Sequence, residues 1–148
     1  MGGDVVGEPT LYERIGGIFA IAAVIDDFSE RVVRNQTIID ANPELRRWHT
    51  EAYKTRLPGL KWGRTFWVAA VAGGPYLYTG KGMRDAHYDL KISPEIFDVV
   101  AAELAAALDD FNVPEREKNE VLDAFGGEKG EVTAGSQPGA VNWAGPGI

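Results

Sequence analysis

Residues 10–34 read TLYERIGGIFAIAAVIDDFSERVVR, and the recurrence of their apolar side chains decides the fold class. Leu11, Ile15, Ile18, Ile21, Ala22, Ile25, Phe28 and Val32 return largely at three- or four-residue steps, the period of an amphipathic helix. Thr10 is placed to cap its start. Gly16-Gly17 interrupts the run, and two adjacent glycines weaken a helix, so the pattern predicts a corner between a short helix and a longer one.

Similar punctuation recurs downstream. Asn42-Pro43 predicts a third helix, with a side-chain cap followed by a proline whose missing N–H is harmless in the first turn. Leu45, Trp48, His49, Ala52 and Tyr53 fall on one side of it. Leu57-Pro58-Gly59 is expected to end that unit, and a fourth helix to run from about residue 60 to residue 72, stopped by Gly73-Gly74-Pro75. Residues 76–91 read as a loop and a short helix containing His87. Ser93-Pro94-Glu95 starts a further helix with Phe97, Val100, Leu104, Ala107, Leu108 and Phe111 as its apolar stripe. Val113-Pro114 opens the last one, with Val121, Leu122 and Phe125 facing inward and Gly126-Gly127 closing it. No strand alternation of useful length appears, so the expected class is all-α. Residues 1–9 read as a flexible N-terminal segment and 10–125 as one helical domain. Residues 126–148, rich in Gly, Pro, Ala and Ser, read as a disordered tail that lacks the apolar area to offset its ordering entropy.

Composition narrows the function. The 148 residues are 45% hydrophobic and 25% charged, enough to bury one core. Fifteen Lys and Arg against 22 Asp and Glu give a net charge of −7, which argues against nucleic acid as a partner. With no cysteine there is no disulfide, thiolate metal site or thiol nucleophile. The N-terminus lacks the basic flank and apolar core of a secretory signal, and the uncharged stretch 65–80 is too short and too broken to span a bilayer. A cytoplasmic protein without a membrane partner is therefore expected. No G-x-S-x-G, Walker loop, H-E-x-x-H or EF-hand loop is present. Chemistry at neutral pH then falls to His49, His87 or carboxylates. From the residues alone, His87, framed by Met83, Ile92 and the Phe97 helix, reads either as a packed structural histidine or as a ligand.

The run Leu11-Tyr12-Glu13-Arg14-Ile15-Gly16-Gly17, then Gly73-Gly74-Pro75, Tyr78-Thr79-Gly80, Met83-Arg84-Asp85-Ala86-His87, Ile92, Phe97 and Val113-Pro114, resembles the group I truncated haemoglobins. The resemblance covers about residues 10–125. It implies a two-over-two helical sandwich around a b-type haem, iron protoporphyrin IX, with His87 as proximal iron ligand. Without cysteine, attachment through a C-x-x-C-H motif is excluded. Met83, Ile92, Phe97, Val100, Leu104, Leu122, Trp67, Val68 and Phe28 are the expected apolar wall; Tyr78, Arg84, Lys61 and Lys81 are candidates to meet the haem propionates.

The distal side departs from the family. Where relatives read Phe-Tyr in the second helix this chain has Phe28-Ser29. Counting back from Gly73-Gly74 puts Leu60 and Arg64 where an apolar gate and a glutamine usually stand. Arg64 shares a helix face with Leu60, Trp67, Val68 and Val71, and a buried guanidinium requires a negative partner. The candidates are a propionate, a bound anion, oxygen polarised at iron, or a carboxylate such as Asp40 or Glu44. Residues 35–59 exceed the family length by about ten, roughly three turns of helix. They contain His49, read as a sixth iron ligand, a distal polar group or a packing histidine. The implied function is binding of oxygen or another diatomic ligand, nitric oxide or carbon monoxide, with nitric oxide detoxification and a reductase partner as extensions. The alternatives are a haem redox, peroxidase-like or gas-sensing protein, and a haem-free helical interaction module.

Overall fold

The computed structural model describes residues 7–140. Thr10 caps α1 (Leu11–Arg14) through a reciprocal pair: its hydroxyl accepts from Glu13 N–H at 3.1 Å, and its own N–H donates to the Glu13 carboxylate at 2.9 Å. The glycine corner follows as expected. Gly16 and Gly17 take φ of 105° and 81°, left-handed values that suit glycine, and α2 runs Gly17–Arg34. Its buried residues Ile21, Val24, Ile25, Phe28, Ser29 and Val32 occupy one stripe.

Between α2 and the next long helix lie α3 (Gln36–Ile39) and α4 (Pro43–Arg47), the latter capped by Asn42, whose side chain accepts from Leu45 N–H at 2.7 Å. The wide π turn Trp48–Ala52 leads from α4 into α5 (Tyr53–Val71). The break expected at Leu57-Pro58-Gly59 does not occur: α5 passes through Pro58. A proline inside a helix removes one hydrogen bond to the carbonyl four residues back and crowds that carbonyl. The buried residues Thr65, Val68 and Ala69 and extensive packing on α2 hold the rest of the helix. Its end is the one the sequence predicts. Gly73 takes φ 89°, Gly74 N–H reaches back to the Ala69 carbonyl at 2.8 Å, and a Cβ on Gly74 would press on the Tyr12 ring.

After a loop come α6 (Met83–His87) and a 3-10 turn (Tyr88–Leu90), then α7 (Pro94–Asp110), capped by Ser93, and α8 (Glu115–Gly126). The pairs α2 with α5 and α7 with α8 form two crossed layers, and α7 packs on α2 between them. Among the described residues there is no strand, and no helix is long and apolar enough to cross a membrane.

The domain boundary drawn at 125 is too early. The chain continues as α9 (Lys129–Val132) and a second 3-10 turn (Ala134–Ser136), with Val132, Thr133 and Gly135 buried. Lys129 pairs with Asp98 of α7 at 2.8 Å, and α9 packs on α6. One buried valine, a neighbouring threonine and close glycine packing suffice here because the surface they cover is already built. The remainder of the expected tail, 141–148, and residues 1–6 of the expected N-terminal segment lie outside the described residues.

Candidate functional site

The layers close on a cavity of about 390 Å³, within the usual range for small-molecule sites. Each wall is one face of a helix. From α2 come Ile25, Phe28 and Val32; from α5, Leu60, Gly63, Arg64, Trp67 and Val68; from α7, Phe97, Val100 and Leu104. Met83, Ala86 and His87 of α6 form the facing side with Ile92, and Leu45, Trp48 and His49 enter from the long α3 to α5 connection. Tyr78 lies at the edge.

His87 stands at the C-terminal end of α6, with its Nδ1 2.8 Å from the carbonyl of Met83, one helical turn back. A carbonyl only accepts, so Nδ1 carries the proton and Nε2 of the neutral ring keeps its lone pair. Burial pushes the imidazole pKa down, the hydrogen bond to Met83 opposes this, and the positive charge of Arg64 lowers it further. The ring is neutral at pH 7, the form that binds metal.

His49 repeats this arrangement. Its Nδ1 is 2.8 Å from the Leu45 carbonyl, and its Nε2 is buried with no hydrogen-bond partner. Trp48 packs edge-on against the ring at 5.0 Å. The residue sits in the π turn, an irregularity found often at functional sites.

Of the partners considered for Arg64, a protein carboxylate is the one it does not meet among the described residues. Its Nη1 donates to the Ser29 hydroxyl at 2.8 Å, and its guanidinium lies over the Phe28 ring at 5.5 Å. Asp40 is engaged by Gln36 and Arg46 instead. Burial lowers the guanidinium pKa to about 10, which leaves it charged at neutral pH. Ser29 is fully buried and supports Arg64 from behind rather than lining the cavity itself.

One expected propionate contact and one expected wall residue lie elsewhere. Arg84 stacks on the Tyr88 ring at 5.1 Å, and Leu122 packs into the main core. Lys61 pairs with Asp26 and Glu30 at 2.8 and 2.7 Å, while Lys81 does reach the cavity edge. Sequence reasoning missed Arg56, Leu90, Phe125 and Val132 on the lining. The sequence marks Phe125 only as inward-facing core, and no local pattern marks the other three.

A two-over-two helical sandwich enclosing an apolar cavity, with a tethered neutral imidazole on one wall, defines a truncated globin. A family model described as bacterial-like globin matches residues 10–133, and this chain belongs to that family. The match extends past residue 125, in accord with the docked α9. The chain is 33% identical over 132 residues to the group 1 truncated hemoglobin GlbN of Mycolicibacterium paratuberculosis, covering 84% of this chain and 90% of that protein. It is also 33% identical over 114 residues to the group 1 truncated hemoglobin GlbN of Synechocystis, covering 72% and 81%. Among solved structures, the 2/2 hemoglobin from Synechococcus, in the cyanomet state with covalently attached heme, superposes with a TM-score of 0.73 at 23% identity. That match spans 85% of this chain and 99% of that one.

Haem is the cofactor of the family, and the residues present fit it. Two imidazole Nε2 atoms are kept free by the same Nδ1 tether, one of them buried without a partner, and the walls are predominantly apolar. Neutral imidazole is a suitable iron donor, and a dry wall protects a porphyrin. The exposed cations Arg56 and Lys81 stand on the lining where carboxylates could be met at the solvent edge.

Proposed function

We propose that this chain binds a diatomic gas, oxygen foremost, on haem iron held by Nε2 of His87. The observation that carries this is the His87 ring itself: half-buried, neutral, tethered at Nδ1 by Met83, and facing an apolar cavity. Haem would supply an iron centre able to take a small gaseous ligand. The chain's own residues do the rest. Met83 fixes the ring orientation through its carbonyl and raises the basicity of Nε2. Phe97, Val100, Leu104 and Val68 exclude water. Arg64 offers hydrogen-bond donors within the cavity, and its charge favours ligands that draw negative charge onto oxygen. This supports oxygen-dependent removal of nitric oxide as the activity to assay, with a reductase returning the electron consumed.

The reading is tested by adding carbon monoxide and, separately, oxygen to the reduced, haem-loaded chain. It predicts a Soret shift that saturates at one ligand per chain. An unchanged spectrum with either gas would overturn it.

The orphaned Nε2 of His49 favours a second reading, in which His49 is the sixth iron ligand at rest. That reading predicts a low-spin ferric spectrum in the wild type that turns high-spin in His49→Ala. Identical spectra in the two proteins reject it.

A further inference from the structure

The charged side chains on the cavity lining, among the described residues, are Arg56, Arg64, Lys81 and Glu128. Arg56 and Lys81 are exposed, suited to carboxylates at the solvent edge. Arg64 differs from both. It is tied by Ser29 to the interior stripe of α2, and no ion pair or hydrogen bond joins it to a carboxylate among the described residues. A guanidinium carries five N–H donors, of which Ser29 takes one and Phe28 offers only a ring face. A cation held beside apolar walls without a counter-charge is costly to retain unless an anion meets it there.

We propose that Arg64, oriented by Ser29, gives the ferric form of this site an added affinity for small inorganic monoanions, such as nitrite and azide, that neutral ligands of similar size do not share. This rests on the haem reading above and adds the ligand class. Arg64 provides a planar fork of charge-assisted donors, which suits nitrite's two oxygens and a terminal azide nitrogen. Ser29 is a positioning residue: its oxygen accepts from Nη1 and holds the fork toward the cavity rather than toward solvent. The net charge of −7 on the whole chain makes the cavity's positive interior a local feature, not a consequence of overall composition.

The test is optical titration of the ferric haem-loaded protein with azide and nitrite, set beside carbon monoxide binding to the ferrous form as the neutral control. Arg64→Leu is expected to weaken both anions by about 10- to 100-fold and carbon monoxide by less than about threefold. Arg64→Lys keeps the charge without the fork and is expected to fall between. Ser29→Ala, a small change on a different helix, is expected to cost the anions several-fold and provides a second route should Arg64→Leu not fold. Equal losses for anions and carbon monoxide, or unchanged anion affinities in both Arg64→Leu and Ser29→Ala, overturn the proposal. A wild type with no Soret band would instead remove the haem reading beneath it.

Discussion

Replacing His87 with glycine is expected to weaken haem retention by more than about a hundredfold while the helical sandwich persists. Loss of an outer-shell partner of a metal ligand typically costs about 10- to 100-fold, and removing the ligand itself should exceed that. The fold should survive because α6 is a five-residue helix at the edge, with none of its residues fully buried, whereas the core rests on α2, α5, α7 and α8. Glycine at 87 leaves a hole the size of the lost ring, so millimolar imidazole is expected to restore the Soret spectrum. His49→Gly should retain haem without imidazole. The measurement is the rate of haem transfer to an excess of an apo-acceptor protein, with circular dichroism as the check on folding. Undiminished retention in His87→Gly would place the iron ligand on another residue.

The second large effect concerns the segment first read as disordered. A Cβ on Gly135 would overlap the Tyr88 carbonyl oxygen and crowd the Tyr88 backbone behind it. That backbone directly follows His87 and cannot yield as a flexible side chain would. Gly135→Ala is therefore expected to destabilise the protein by about 3 kcal/mol, the upper part of the usual overpacking range, and to hasten haem loss by displacing α6. Gly130→Ala is the control with the opposite sign. It lies in α9, its Cβ would meet nothing within 4 Å, and it should stabilise by about 0.4–1 kcal/mol through reduced unfolded-state entropy. Urea unfolding of the two variants separates a docked segment from a free one. A neutral Gly135→Ala would mean that 129–136 does not pack on the histidine segment.

Which features were legible follows from where their causes lie. Gly16-Gly17, Asn42-Pro43, Ser93-Pro94 and Gly73-Gly74 act through backbone chemistry confined to a few residues, so their turns and caps stand where the sequence puts them. Pro58 carries an equally strong local signal, and there contacts made on α2 outweigh it. The π turn at residues 48–52 has no sequence signature, because it reflects how the long connection joins α4 to α5. α9 was invisible for a related reason: its single buried apolar residue, Val132, gains its burial from a surface formed by other elements.

The site divides in the same way. His87 draws attention in the sequence because the chain has two histidines, and its Met83 tether is a one-turn spacing within a single helix. The partner of Arg64 was not. A search for opposite charge points to a propionate, a bound anion, polarised oxygen or a carboxylate such as Asp40 or Glu44, whereas among protein groups the structure supplies a hydroxyl 35 residues upstream on a facing helix. That substitution leaves the guanidinium charge uncompensated by protein, and the anion preference follows from it.

The central claim is that the helices of this chain enclose one haem, with iron on the imidazole of residue 87. Its most direct test is titration of the haem-free, purified wild-type chain with ferric haem, followed at the Soret band. The account predicts a linear rise with a sharp break at one haem per chain, and in the His87→Gly protein a break only when imidazole is supplied. A shallow rise without a break in the wild type, or a wild-type break that His87→Gly reproduces unaided, would contradict it.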